Sequence, residues 1–492
     1  MSLLTAPTLL LGHPRSRSRW SARLSGVSVV LLAMLAATGI GALAAVSPVL
    51  ALAGVLGSVL VAVVVWRPVS ATYVLIAATP LVVGIDRDRL VPMLRPNEAL
   101  LGLLIAILLA RAVLLLRVEA RLPKLSLSPV ATTLLAMAVA SSVLPLLFMV
   151  ARGRTVEMDD ITHAAVMWKT LAVFALVRYT VRTQTQVRIC IAISLSVATI
   201  VGGIAIAQSL GLFGVRELLM PWYASFGYTD AFADPRAGST IGLPAATADF
   251  MILNLGLAIG LWWKDRKAAL LLAPAAVVYI MAVFAAAEFS SALGLMIAMV
   301  TLAALLGRLD LLRYGVLILP VVIYVLWPTV EHRIEEFQSM HGIPRSWLVR
   351  WYNLETYFWP DLFSGTNPIF GVRPSARAPA PGAFGFVWIE SGYTWLLWGG
   401  GVFLAGAFVW FVVVTLRTMR TLNRSLTSYS SVAALAAYAA VVVVVVLMVF
   451  DPHITYRGFA DALYAVLGLA LVQPDPPASP SVAADIAQEA RP

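Results

Sequence analysis

The chain has 492 residues, of which 60% are hydrophobic and only 12% charged, with a mean hydropathy of +0.89 and a single cysteine, Cys190. Soluble domains are near half apolar and a quarter charged, so this composition excludes a soluble enzyme or a nucleic-acid-binding domain as the main body, and one cysteine cannot build an internal disulfide framework. The formal charge of +10 is explained more simply by the Lys and Arg that membrane topology places in cytoplasmic loops than by an anionic partner.

Runs long enough to cross hydrocarbon as helices are predicted at 25–46, 48–66, 69–85, 98–116, 129–150, 161–178, 188–212, 243–263, 268–287, 290–307, 312–328, 386–416, 429–450 and 458–473. The first follows a basic tail, 1–23, carrying Arg15, Arg17, Arg19 and Arg23. Without a small-residue cleavage site it reads as a retained anchor. The expected fold is an all-α polytopic membrane protein of 12–14 transmembrane helices over 24–473, followed by a Pro- and Ala-rich, disordered cytoplasmic tail at 474–492.

Charge sets the orientation. With the N-terminus inside, 21 of the 35 Lys and Arg fall on the cytoplasmic side, 13 fall outside, and Lys169 lies within a span. With acids included, the inner set is +15 and the remainder, Lys169 aside, is −6. The positive-inside rule then places both termini in the cytoplasm.

Most connections are short, but two external ones are not: 213–242 and 329–385. A loop of the second length is either functional or disordered. Its aromatic content argues for order, since Trp347, Trp351, Leu354 and Phe358 recur at helical spacing and predict a short amphipathic helix at the outer interface. The Pro/Gly/Ala-rich stretch from Arg373 to Gly385 reads as a mobile flap.

All thirteen external cations are Arg, whose planar fork matches phosphate oxygens. The long loop holds Arg333, Arg345, Arg350, Arg373 and Arg377 where cations should be scarce. They suit either a lipid-linked phosphate or salt bridges with Glu331, Glu335, Glu336 and Glu355. Arg236, in the turn former Asp234-Pro235-Arg236-Ala237-Gly238-Ser239-Thr240, stands directly before a span. Either the Gly-Ser-Thr amides join it in binding an anion, or it pairs with Asp234 in a capping turn. Glu390 opens the 391–416 stretch, where an acid either complements the helix dipole or accepts a proton from an attacking hydroxyl. Lys169, charged within a span, is a functional candidate by default; Asp249 and Glu288 are candidate partners for it. The five His lack the paired spacing of a zinc site, so no metal site is expected.

Four segments, in this order, resemble the O-antigen ligase/polymerase superfamily of bacterial membrane glycosyltransferases. Arg236-Ala237-Gly238-Ser239-Thr240 is similar to its Arg-x-Gly-Thr turn, and Glu288 to Gly294 is similar to its Ser-Arg-Gly-Ala-x-Leu-Gly helix start. Arg350-Trp351 followed by Asn367-Pro368-Ile369-Phe370-Gly371-Val372 resembles its loop, and Glu390-Ser391-Gly392-Tyr393 with Gly399-Gly400-Gly401 resembles the start of its next span. The likeness covers about 200–420. Ser291 stands where many members carry Arg, and Glu390 where ligases carry a His, which tilts the resemblance towards a polymerase.

The resemblance implies a metal-independent, cofactor-free transfer on the outer face of the bacterial cytoplasmic membrane. The donor would be a glycan on a polyprenyl diphosphate, undecaprenyl or decaprenyl in type, and the acceptor a sugar or glycolipid hydroxyl. Arg236, Arg350 and Arg373 would hold the diphosphate, Arg377, Lys169 and Tyr393 would contribute to diphosphate or glycan binding, and Glu390 would orient or deprotonate the acceptor. Membrane lipids are the surroundings, and no nucleic acid takes part. The rival class is a lipid-linked oligosaccharide flippase, which should show two similar halves and short loops; a scaffold without chemistry is the third.

Overall fold

The computed structural model describes residues 48–87, 89–90, 94–119, 127–223, 236–327, 330–331, 334, 345–381, 385–424 and 426–473. The basic tail, the 25–46 span, His332, Arg333, His341, Asp234 and the 474–492 tail lie outside them. The described residues 48–67 belong to a first unit, in which α1 runs Pro48–Trp66.

The second unit, 68–492, is a helical bundle. Its helices are α2 (Val69–Val82), α3 (Pro96–Glu119), α4 (Pro129–Ala140), α5 (Val143–Ala151), α6 (Met158–Thr180), α7 (Gln184–Ser209), the short α8 (Val215–Leu219), α9 (Pro244–Lys264), α10 (Ala269–Ala285), α11 (Phe289–Leu306) and α12 (Asp310–Val325). After α12 come α13 (Arg345–Asn353), a π-turn over Leu354–Phe358, and the single turns α14 (Trp359–Leu362) and α15 (Asn367–Phe370). A hairpin of β1 (Arg377–Pro379) and β2 (Phe386–Trp388) precedes α16 (Gly392–Leu422), α17 (Tyr429–Leu447) and α18 (Phe459–Ala470). Each predicted span from 48–66 onward overlaps a helix, the 129–150 span being broken into α4 and α5. The predicted 386–416 span starts too early: Phe386–Trp388 pair as a strand with Arg377–Pro379, and the helix begins at Gly392. Among the described residues nine helical stretches have the length and composition to cross a membrane. The chain is a multi-pass, all-α membrane protein.

Local chemistry explains the helix starts. Ser128 caps α4 with Pro129 at its first position, Thr183 and Gln186 form a capping box at α7, and Ser391 accepts from the Thr394 amide at α16. At the centre stands α9, buried along nearly its whole length and packed against α7, α10, α11, α17 and α18. Gly256 and Gly260 lie one turn apart on α9, and a Cβ on them would stand 3.2 Å from Ala436 Cα and 3.0 Å from Val432. This small-residue spacing lets α9 and α17 pack closely where lipid offers no hydrophobic drive.

The middle of α16 is broken. Gly401 has φ 62° and ψ −155°, a conformation open to glycine alone, and a Cβ there would lie 2.1 Å from the Ile369 carbonyl. The break leaves the Trp398 carbonyl to accept from the Val372 amide at 2.7 Å, so α15 and the following residues dock into it. The Asn-Pro-Ile-Phe-Gly-Val and Gly-Gly-Gly segments thus pack on one another.

Candidate functional site

Three connections meet at one end of the bundle. The turn 236–242 is joined to the end of α10 by the Ala237 amide donating to the Ala285 carbonyl at 3.0 Å. This brings Arg236 Nη1 to 3.6 Å from Glu288 Oε1, at the start of α11. On α13, Arg350 and Asn353 are three residues apart and share a face, and both reach Glu390, the arginine through Nε at 3.6 Å and the asparagine by a side-chain hydrogen bond. Arg350 Nη2 also lies 3.0 Å from Asp451 Oδ2, in the connection between α17 and α18. Behind Asp451, His453 Nδ1 is 2.6 Å from Asp249 Oδ2 on α9, and its ring packs on Tyr456 at 4.6 Å between centroids.

The cluster therefore sets two guanidinium groups against the carboxylates of Glu288, Glu390 and Asp451, with a buried Asp–His pair beneath. Burial pushes the Glu390 carboxyl up, against the opposing effect of Arg350. Burial pushes Asp451 up to about 6, opposed by Arg350 and His453 and reinforced by Glu390 and Glu288. Burial alone would lower Arg350, but the charges of Asp451 and Glu390 outweigh it and raise it. Such groups of one sign, partly desolvated beside opposite charge, are what proton-transfer and anion sites use.

Arg236, Arg350 and Glu390 are thus brought together, and the other four predicted site residues are not. Arg373 makes a bidentate pair with Asp160 at 2.8 and 2.7 Å and meets Glu157 at 3.0 Å; Arg377 lies 3.5 Å from Asp159 and covers the rings of Phe386 and Trp388. Asp160 also accepts from the Ser375 amide, and Trp398 Nε1 donates to the Ser375 carbonyl at 2.9 Å. The described part of the expected mobile flap is therefore a docked hairpin: charge pairs with the start of α6 anchor what composition alone would leave loose. Lys169 pairs with Asp461 at 3.3 Å, not with Asp249 or Glu288, which face His453 and Arg236. The Tyr393 hydroxyl donates to the Val445 carbonyl at 2.6 Å.

Two expectations change on closer geometry. The Gly-Ser-Thr stretch is not an anion cradle: the Ser239 amide donates to Gln208 Oε1, the Ser239 and Thr240 hydroxyls donate to the carbonyls of Val201 and Pro80, and both residues are buried. The predicted aromatic stripe divides at the π-turn, which advances the register by one residue. Trp347 and Trp351 are exposed, the former with its ring tilted 38° against Phe450 at 5.4 Å, while Leu354 and Phe358 are buried. Arg350, for its part, pairs with Glu390 and Asp451 outside its own loop, where Glu331 and Glu355 were the described candidates.

Asp451, His453 and Asp249 form the portion of the cluster that residue spacing did not reveal. The available signals were an ionisable residue inside an apolar helix, Asp249, and a polar Asp-Pro-His triplet between two spans. Among the described residues no group of three or more His, Cys, Asp and Glu is placed to hold a metal ion. No family model matches the chain, and no curated protein matches it in sequence.

Proposed function

We propose that the protein is a membrane glycosyltransferase that polymerises, or alternatively ligates, glycan units carried on a polyprenyl diphosphate at the outer face of a bacterial cytoplasmic membrane. The observation that carries this reading is the grouping, at one end of the bundle, of the Arg236–Glu288 pair with Arg350 and Glu390, both of which feel the Glu288 carboxylate. The opposite end holds Lys264, Arg417 and Arg420 towards the ends of α9 and α16 and Arg266, Lys267, Arg308 and Arg424 in its connections, which favours that end as cytoplasmic.

In this reading the acceptor hydroxyl attacks the anomeric carbon of the donor sugar. Its new C–O bond forms as the bond to the diphosphate breaks, and its proton passes to Glu390, whose raised pKa makes it a stronger base. The departing diphosphate takes up the fixed charge of Arg236 and Arg350, an electrostatic task for preorganised cations. Asp451 keeps Arg350 in place before substrate arrives. The intramembrane Lys169–Asp461 pair favours the second reading, a lipid-linked oligosaccharide flippase, since such charges mark translocation pathways.

The test is the chain-length profile of surface glycan and of polyprenyl-linked glycan in cells with and without the protein. Loss of the glycan ladder with single units still transferred supports a polymerase. Long lipid-linked chains accumulating outside, with none on the final acceptor, support a ligase. Single units trapped on the cytoplasmic face sink both in favour of the flippase, and no change in either pool sinks all three.

A further inference from the structure

One turn in the site end carries two side chains with opposite tasks. His453 N–H donates to the Asp451 carbonyl at 2.7 Å across Pro452, whose φ −74° and ψ 61° are those of an inverse γ-turn. Proline holds that φ in advance. From this turn the Asp451 carboxylate points to Arg350 at 3.0 Å, while the His453 imidazole points inward to Asp249 at 2.6 Å. His453 is 0% and Asp249 2% exposed, so the pair does not touch substrate. It fastens the turn to α9.

The same helix also fixes the other arginine. Two residues before Asp249, the Thr247 hydroxyl donates to the Gly238 carbonyl at 2.7 Å and so holds the turn that begins at Arg236. The far end of the α17–α18 connection is tied independently, since Asp461 accepts from the Gly458 amide and pairs with Lys169. A buried pair of this kind leaves each partner badly satisfied if the other is lost: His453 Nε2 and Asp249 Oδ1 have no other hydrogen-bond partner among the described residues.

We infer that Asp249 and His453 are a positioning pair that braces the Asp451–Pro452–His453 turn against α9 and thereby sets where Arg350 stands relative to Arg236. His453 acts through Asp451 and is not a catalytic residue. The inference rests on the transfer reading for its kinetic test alone.

The direct test needs no substrate. Asp451→Cys, with the buried Cys190 replaced by Ser, is labelled with a water-soluble methanethiosulfonate reagent, alone and combined with His453→Ala or His453→Asn. Asparagine offers an N–H near the position of imidazole Nδ1–H but does not titrate. Labelling should be about fivefold faster with His453→Ala, as the turn opens locally, and within about twofold of the parent with His453→Asn. Equal labelling of the parent and the His453→Ala form overturns the inference, whatever reaction the site performs.

The kinetic test is glycan transfer in proteoliposomes, at equal folded yield. His453→Ala should lower kcat roughly 10- to 100-fold, as displaced catalytic groups do, and His453→Asn should recover most of it with an unchanged pH profile. An Asn variant as slow as the Ala variant overturns positioning in favour of proton transfer through the ring. Absence of transfer by the wild-type protein defeats the transfer reading, and the labelling result then decides the inference by itself.

Discussion

Arg350 Nη2 and Asp451 Oδ2 lie 3.0 Å apart, although one sits on a short helix after the twelfth described helix and the other between the last two. Arg350 meets Glu390 as well, so a single guanidinium spans two carboxylates, one from its own connection and one from the α17–α18 connection. A fork can do this and a point charge cannot. Arg350→Lys should therefore lose about 100-fold in transfer rate despite keeping the charge, in line with the removal of one preorganised donor, while membrane-inserted protein stays at wild-type amounts. Rates per inserted molecule check it, and a Lys variant within a few-fold of wild type would show that charge alone suffices.

Burial pushes the Asp451 carboxyl up from an ordinary value of 3.8 to about 6. A raised acid favours its neutral form in the fold. Its ionised form costs stability above about pH 6, and that cost is relieved as pH falls towards 4. The ion pair with Arg350 needs the ionised form. Transfer should therefore fall on acidification with an apparent midpoint near 6 that belongs to the Asp451–Glu390 pair jointly, while this group's contribution to thermal stability rises over the same interval. Asp451→Asn should remove the stability dependence, and the acid limb of the rate should then be that of Glu390 alone. Melting curves and rates between pH 4.5 and about 8 check the two opposite slopes together.

The break at Gly401 predicts an effect on folding with no charge involved. Alanine there combines a backbone conformation costing about 1–3 kcal/mol with a Cβ 2.1 Å from the Ile369 carbonyl. Gly401→Ala should lower the melting temperature in detergent and free α15, so that limited proteolysis cuts near Asn367–Phe370. Gly406→Ala, on the same helix with open space around it, is the control and should melt within about 2 °C of wild type.

The hairpin predicts a similar separation of stability from chemistry. Asp160 is wholly buried and Arg373 one-fifth exposed, so Asp160→Ala should cost roughly 2–4 kcal/mol, less than a pair out of water on both sides. Removing both partners, in Asp160→Asn with Arg373→Gln, should cost less than the sum of the single changes. Thermal unfolding of the four proteins measures the coupling. Equal costs that simply add would mean that the hairpin is held by other contacts.

The helices were legible because each needs only a contiguous apolar run, and lipid imposes the same length on all of them. The grouping of Arg236, Arg350 and Glu390 was expected only through the resemblance, whose short segments stand at span boundaries. What escaped the sequence was pairing over distance. Arg373 finds Asp160 across 213 residues and His453 finds Asp249 across 204, and neither contact leaves a local pattern. The Arg373–Gly385 stretch looked loose because composition reports propensity and not anchorage. The Gly-Ser-Thr turn looked like an anion cradle because residue type does not reveal that Gln208 already occupies the Ser239 amide.

The most direct measurement uses the purified protein in proteoliposomes with a polyprenyl-diphosphate-linked saccharide of defined length, with the products separated and weighed. The account predicts lengthened or transferred saccharide together with free polyprenyl diphosphate, in amounts that vanish in both Arg236→Ala and Arg350→Ala. Saccharide that changes leaflet with its diphosphate bond intact, or transfer at the wild-type rate by either variant, would contradict it.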